Sequence, residues 1–486
     1  MGKTFAEILR QMHTDSARKL EEKVPEWAGT DILIPSSLNL EQCSSSATAR
    51  YKANLALSLC REGGSPEFEK GTAYPKETGA ELTKEMLTSC QKEDGAKETE
   101  EKLTDCRNTR LNFAVADLTG GLGVDAWHFS KLFGKVLHNE RNTELSEAVQ
   151  RNFSRLGVDN VEFSAIDADS VQMLEKLRYF APTLIYMDPA RRSAEGKKVF
   201  LLEDCSPNIM TLLPSLLELC PLLLVKISPM ADITMLASRL GGTLRQVHIV
   251  GHGGECKELL CVIGRAAEDA PEPLIVAGNC DDGASFSFTR SQEKEAGVAY
   301  IAGDSLKEGA LIFEPGAALM KTGAYALICE RFNMKKFAPN CHLYLIDSAE
   351  QATSNEAGKG AENGQGAETA HATATPACAE AEQAAEATQD SETPACAEAT
   401  QSSDGTRGAY TPFGKCFRIL EIASLTGSNI KNFGKKYPRA EVSAKGIMMR
   451  SDQLRQRLGV HSGGNIHIFG VTTTDGQKLL LACKRT

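Results

Sequence analysis

No apolar run in this sequence is long enough to cross a bilayer. The most hydrophobic stretch, residues 212–227, is broken by Pro214, Glu218, Pro221 and Lys226. A span needs roughly 20 consecutive apolar residues, so this stretch reads as a buried helix and strand, and no membrane partner is expected. No targeting segment is visible. Fifteen cysteines are present, but none forms C-x-x-C, and the nine histidines show no ligand spacing. A disulfide framework and a metal site are therefore not expected, and the thiols read as reduced and cytoplasmic. What is present is bulk: 486 residues, 42% of them hydrophobic, suffice for about three domains with real cores.

The net charge of −10 is unevenly spread. Residues 351–408 hold ten acids and two bases, and residues 61–110 hold twelve acids and nine bases. Residues 409–486 hold four acids against thirteen bases. A basic C-terminal module thus follows an acidic body. The first two stretches are insertions of low complexity. Residues 350–408 are mostly Ala, Glu, Thr, Gln and Gly and repeat TPACAEA at 375–381 and 393–399. Such a composition buries too little surface to offset ordering entropy, and it predicts a disordered linker. Residues 61–110 are similar, with a helix expected only over 80–90.

The most informative segment is DLTGGLGVD, residues 117–125. Asp117, Leu118 and Thr119 end a short apolar run, so Gly120, Gly121 and Gly123 fall at a strand-to-helix turn. Glycine there allows close backbone approach to a ligand and positive φ. Residues 121–126 also satisfy the dinucleotide pattern G-x-G-x-x-G/A. A pyrophosphate resting on that helix would be repelled by Asp117 and Asp125, however, whereas a ligand with an ammonium or sulfonium would be favoured. That points to S-adenosylmethionine (SAM). A second strand, 135–139, ends at Glu140, placed to hold ribose hydroxyls. A helix over 144–156 and a third strand, 161–166, lead to Asp167, an acceptor for an adenine amino group. The fourth strand, 183–187, ends in Asp188-Pro189-Ala190-Arg191. Ligands of open α/β sheets bind beyond the carboxyl ends of the strands, so Asp117, Glu140, Asp167 and Asp188 should converge. A fifth strand, 222–227, and a helix, 232–240, are followed by strands 244–250 and 258–263. The connection through Gly251-His252-Gly253-Gly254 is too short for a parallel crossover, so the sheet should end in an antiparallel hairpin.

With these residues in view, the chain resembles class I SAM-dependent methyltransferases, and specifically a bacterial subfamily with a THUMP-like C-terminal domain. SLNLEQCSSSATARYKA (37–53), DLTGGLGVD, MDPARR (187–192), VKISPM (225–230), GECKELL (254–260) and EPGAALMKTGAY (314–325) carry the resemblance. It covers nearly the whole chain apart from the two insertions. It implies an α/β fold: a Rossmann-like methyltransferase sheet over 111–265 and an N-terminal helical region over 1–60. It further implies a small ferredoxin-like α+β unit over 266–349 and a THUMP-like α+β domain over 409–486. SAM is the implied cofactor and RNA, tRNA or rRNA, the implied substrate class.

The basic module reads as strands 417–423 and 440–444, helices 428–436 and 451–458 with Ser428 and Ser451 as N-caps, and a hairpin, 466–472 and 477–483, about Thr474-Asp475-Gly476. Lys431, Lys435, Lys436, Arg439, Lys445 and Arg450 are the candidate phosphate contacts; the plainer alternative is a solvated basic face. For catalysis, Asp188 and the Pro189 carbonyl could accept hydrogen bonds from an acceptor amine, as in the D-P-P-Y motif of amino-methyltransferases. Here Ala190 replaces the second proline and Arg191 the aromatic. Arg191 could stack on a base or bind a phosphate, or pair with Glu203 or Asp204. Lys226, emerging from an apolar strand, is a candidate substrate-binding or pKa-tuning group. Gln42, Ser44 and Ser45 could cap a helix or cover the cofactor pocket. Cys205 and Cys256 lack the setting of pyrimidine carbon-5 nucleophiles. The leading expectation is an RNA methyltransferase acting on a base amine. Alternatives are a methyltransferase of small molecules or proteins, and a binding protein without turnover.

Overall fold

The computed structural model describes residues 16–62, 111–191, 202–266, 270–346 and 409–486. The segment 80–90 and the linker 350–408 lie outside these. After a helical stretch over 16–23 and the helices α1 (Ser37–Gln42) and α2 (Ser46–Glu62), the chain enters β1 (Leu111–Asp117), α3 (Val124–Leu132), β2 (Phe133–Asn139), α4 (Thr143–Arg155), β3 (Val161–Ser164), α5 (Val171–Phe180) and β4 (Leu184–Met187). The two-residue strands β5 (Ala190–Arg191) and β6 (Cys205–Ser206) pair with each other. Then come α6 (Ile209–Leu219), β7 (Leu222–Ile227), α7 (Ile233–Leu240), β8 (Leu244–His252), β9 (Glu255–Gly264), β10 (Leu274–Asn279), β11 (Ser285–Phe288) and α8 (Arg290–Glu295).

The nine-stranded sheet has the order β11-β10-β8-β9-β7-β4-β1-β2-β3. Strands β3, β2, β1, β4 and β7 are parallel, and β9 runs antiparallel to both β7 and β8. The expected antiparallel hairpin is therefore present, but it does not end the sheet, which continues through β10 and β11. The hairpin strands run longer than expected, because the turn is only Gly253 and Gly254, with φ of +59° and +80°. Both are left-handed, as a two-residue hairpin turn requires. Helices cover both faces, so strand residues are buried in alternation. Leu184 and Tyr186 face the α2–α3–α4 side, and Ile185 and Met187 face α5, α6 and α7. Double-sided burial explains why these strands read as continuous apolar runs.

Beyond the hairpin, the structure departs from the expected 266–349 unit. β10 pairs in parallel with β8, and β11 pairs antiparallel to β10, so both extend the first sheet. The remainder, β12 (Leu311–Pro315), α9 (Ala317–Thr322), α10 (Tyr325–Arg331), β13 (Met334–Ala338) and β14 (Cys341–Ile346), joins the C-terminal module. That module comprises β15 (Gly414–Ser424), α11 (Gly427–Lys436), β16 (Glu441–Lys445), α12 (Ser451–Leu458), β17 (Ile466–Thr472) and β18 (Lys478–Arg485). Pairing of β12 with β15 fuses the two into one seven-stranded sheet, β13-β14-β12-β15-β18-β17-β16. The sheet curls on itself: Lys445 of the edge strand β16 pairs with Glu314 of the interior strand β12 at 2.8 Å. The curled interior is a shared core of Ile312, Phe337, Leu343, Phe417, Phe469 and Leu481. The expected caps also move. Thr426, not Ser428, caps α11, and Arg450 occupies the N-cap of α12. Ser451 instead accepts the amide of Ala444.

Among the described residues no helix is long and apolar enough to cross a membrane, and no group of His, Cys, Asp or Glu is placed to hold a metal ion.

Candidate active site

The glycine turn after β1 is set from beneath. Gly120 donates to the Asn139 carbonyl at 2.8 Å, and Gly123 to the Gly120 carbonyl at 2.9 Å. Gly123 caps α3 with φ +86°. Gly120 lies directly on the His138 ring: a Cβ there would stand 2.3 Å from Nε2. That ring is fully buried beside Phe153 and Phe163, and burial holds its pKa down to about 4, so it stays neutral. The packed ring cannot yield. Gly120→Ala should therefore destabilise the fold by about 1–3 kcal/mol, the range for overpacking. Urea denaturation checks this, and an unchanged midpoint would refute it.

Strand parity brings the acids to one side. Asp117 is 1% exposed. Its Oδ1 accepts the Thr119 amide at 3.0 Å, while Oδ2 has no hydrogen-bond partner. Burial, reinforced by Asp125 and Asp188, raises its pKa well above the usual carboxylate value. Thr119 in turn accepts the backbone N–H of Asp188 at 2.6 Å, tying the ends of β1 and β4 together. Glu140, after β2, accepts the Gly121 amide at 3.0 Å through one oxygen and the Asn142 amide at 2.9 Å through the other. Asp167 is exposed and accepts the Asp169 amide. Buried Asn139 bonds the Leu118 carbonyl and both backbone groups of Ile166, fastening the loops that carry Thr119 and Asp167.

Asp188 is half-buried, and its Oδ2 accepts the Lys226 ammonium at 2.5 Å. Burial alone would discharge Lys226, but the carboxylates of Asp188, Glu258 and Asp125 outweigh it and raise its pKa. Half-buried Pro189 follows. The Arg191 backbone pairs with Cys205; its side chain and residues 192–201 lie outside the described residues. Of its two expected partners, Glu203 is paired with Arg239 at 3.1 Å.

Behind this pair lies a buried network. Lys52 of α2, its side chain wholly inaccessible, sits 2.9 Å from Asp125 and 3.3 Å from Glu258 and donates to Ser44 Oγ at 2.7 Å. Ser44 and Tyr186 both donate to Asp125 Oδ2, at 2.8 and 3.1 Å. Burial would raise the Asp125 pKa, but Lys52 and Lys226 outweigh it and hold it low. Asp125, expected beside the cofactor, is thus already engaged by three protein partners. The 42–46 segment divides its work. Gln42 ends α1, Ser45 accepts the Thr48 amide at the start of α2 at 3.4 Å, and Ser44 reaches Asp125. Lys23 holds this segment by donating to the carbonyls of Leu40, Glu41 and Cys43.

Lys52 and Glu258 were not singled out from sequence, although signals existed. Lys52 falls on the helical stripe of Ala49, Ala53 and Ala56, all buried. Glu258 shares the period-2 face of Leu260 and Val262.

The six basic candidates do not form one patch. Lys431, Lys435 and Lys436 lie on α11, with Arg439 just before β16; Lys445 ends β16, and Arg450 precedes α12. An extended strand rises about 3.3 Å per residue, so Arg439 and Lys445 are about 20 Å apart. Lys436 pairs with Glu421 at 2.7 Å and Lys445 with Glu314. Lys431, Lys435, Arg439 and Arg450 are exposed.

Residues 312–352 match the family described as a ferredoxin-like domain, and residues 414–485 the family described as THUMP domain-like. No curated protein matches the chain. The crystal structure of a protein from Porphyromonas gingivalis W83, provisionally assigned as a methyltransferase, superposes with a TM-score of 0.66 at 24% identity, covering 98% of this chain and 89% of that one. An rRNA methylase from Streptococcus thermophilus aligns over 36% of this chain and 100% of its own, with 12% identity and a TM-score of 0.24. A provisionally assigned methyltransferase from Streptococcus mutans in complex with SAH aligns over 35% and 99%, with 14% identity and a TM-score of 0.24.

Proposed function

We propose that this chain, which has the class I methyltransferase fold and a C-terminal THUMP-like domain, transfers the methyl group of SAM to a base amine of structured RNA. The observation that carries the reading is Asp188, fixed by Thr119 and Lys226 at the end of β4 and only part-buried, on the same side of the sheet as Asp117.

The residues fit SAM. The unpartnered Oδ2 of Asp117 suits an ammonium group, since a buried carboxylate oxygen without a donor is costly. The positive φ of Gly121 and Gly123 and the contact of Gly120 with His138 keep the turn free of side chains. Glu140 orders that turn through Gly121 while retaining acceptor capacity for ribose hydroxyls, and Asp167 stands exposed at the next strand end for an amino group. When bound, SAM supplies a methyl group already activated on a cationic sulfur. The protein's task is then positioning, which can account for roughly 7–11 kcal/mol of a barrier. Asp188 accepts the N–H of the incoming amine and aims the amine's lone pair; Lys226, donating to Asp188 Oδ2, holds that carboxylate in place.

The basic module supports RNA as the acceptor. It carries thirteen bases against four acids. Its sheet is continuous with β12–β14, and helix α9, which follows β12, packs against β8, β9 and β10 of the catalytic sheet. With Lys436 and Lys445 already paired, four of the six candidates remain exposed for phosphate. Single-stranded contacts contribute a slope of about −0.7 each in log affinity against log salt, so a slope near ~−3 is expected by fluorescence anisotropy. A slope near zero would remove RNA from the reading. The test of activity is transfer of labelled methyl from SAM to total RNA from cells lacking the gene, with protein and small-molecule fractions alongside. Label confined to either of the latter would reassign the substrate.

A further inference from the structure

Glu258, on β9, is 4% exposed in its side chain and stands between two lysines from distant parts of the chain. Lys52 of α2 lies 3.3 Å from Oε1, and Lys226 of β7 lies 3.9 Å from Oε2. Lys226 also reaches Asp188, and Lys52 also reaches Asp125. The five residues therefore meet in an ordered row: Asp125, Lys52, Glu258, Lys226, Asp188. Only the last pair is appreciably accessible, with side-chain exposures of 18% for Lys226 and 33% for Asp188.

A lysine whose sole partner were Asp188 would keep the freedom of a four-carbon stem and could swing toward solvent. A second carboxylate behind it restricts that swing. A buried carboxylate stays charged only when paired: burial, with Asp125 and Asp188, raises the Glu258 pKa above the usual carboxylate value, and Lys52 and Lys226 oppose that rise. Resting on the reading of Asp188 as the amine acceptor, we propose that Glu258 is a positioning residue for the acceptor site: Lys52 keeps it a carboxylate, and it holds the Lys226 ammonium against Asp188. The N-terminal helix α2 is thereby a working part of the catalytic centre, although it lies outside the methyltransferase sheet.

Two measurements on the full-length protein test this. The first does not depend on turnover: acylation of lysines by an N-hydroxysuccinimide ester at pH 9, read by peptide mass spectrometry, with Lys23 as internal reference. Glu258→Gln should raise Lys226 labelling at least fivefold relative to Lys23. Lys52→Met should do the same, because Glu258 then takes up a proton. A merely structural loss would raise both lysines together, and that result, or unchanged Lys226 labelling, overturns the proposal. The second is methyl transfer to RNA. Glu258→Gln should lower kcat about tenfold with KM for SAM within twofold, and the double variant should be no worse than either single one, since both break one row. Additive losses, or a change confined to KM, would also overturn it. If Lys52→Met fails to fold, Glu258→Gln carries both measurements. If the wild type labels as expected but transfers no methyl to any fraction, the positioning of Lys226 stands and the methyltransferase reading falls.

Discussion

Asp188→Asn is expected to lower methyl transfer by about 100- to 1,000-fold while leaving SAM affinity within about threefold. The separation follows from the geometry. The contact that ties residue 188 to the cofactor turn is its backbone N–H on Thr119 Oγ1, which the substitution retains. What changes is the side chain: a carboxylate that accepts on every lone pair becomes an amide with one accepting atom. Lys226 at 2.5 Å will claim that oxygen, leaving the NH2 group toward the acceptor amine, donor against donor. Losing one oriented contact at a reacting centre typically costs this much. Isothermal titration with SAM and single-turnover transfer to RNA separate the two effects. Turnover unchanged in the variant would place the acceptor amine elsewhere; SAM affinity lost with turnover would make Asp188 a cofactor residue.

Asp117→Asn is expected to act in the opposite way, reducing SAM affinity at least 100-fold. The wild-type binding should also depend on pH, and its sign can be worked out. In the free protein, burial and the neighbouring carboxylates of Asp125 and Asp188 raise the Asp117 pKa. Lys52 acts in the opposite sense, as does the Thr119 amide; Tyr186 and neutral His138 are its partners across the sheet. A cationic group entering beside Oδ2 favours the ionised form, so the pKa falls on binding. The complex therefore holds fewer protons than the free protein, and affinity rises with pH up to the raised free-state pKa, then levels off. Titration in two buffers of different ionisation enthalpy would register the released proton, and the Asn variant would abolish it. Affinity independent of pH in the wild type, or unaffected by the substitution, would refute the role given to Asp117.

Much of the fold was legible because its signals are local. The turn at Gly120–Gly123, the acids at the ends of β1, β2 and β4, and the tight hairpins at Gly253-Gly254 and Thr474–Gly476 depend on residues within a few positions of one another. Strand ends in an α/β sheet all lie on one edge, so Asp117, Glu140, Asp167 and Asp188 could be assigned to a common edge without knowing the packing. The sheet extension by β10 and β11 could not be anticipated in this way, since short strands do not announce which edge they join. Nor could the merging of β12–β14 with β15–β18, whose pairing spans the whole linker.

The same division runs through the site. By itself the sequence determined which side chains line the strand ends, because side-chain direction alternates with a period of two, and it determined the charge of the C-terminal module, because charge is a sum over residues. Only the tertiary structure decided which charges meet. Lys52 and Glu258 are 206 residues apart, yet each is buried and needs the other. That dependence committed Asp125 to Lys52 and placed Lys226 between Glu258 and Asp188. It also split the basic candidates between the two ends of β16 and neutralised Lys436 and Lys445. An ion pair forms wherever packing brings opposite charges within a few ångströms out of water, and no local pattern encodes that distance.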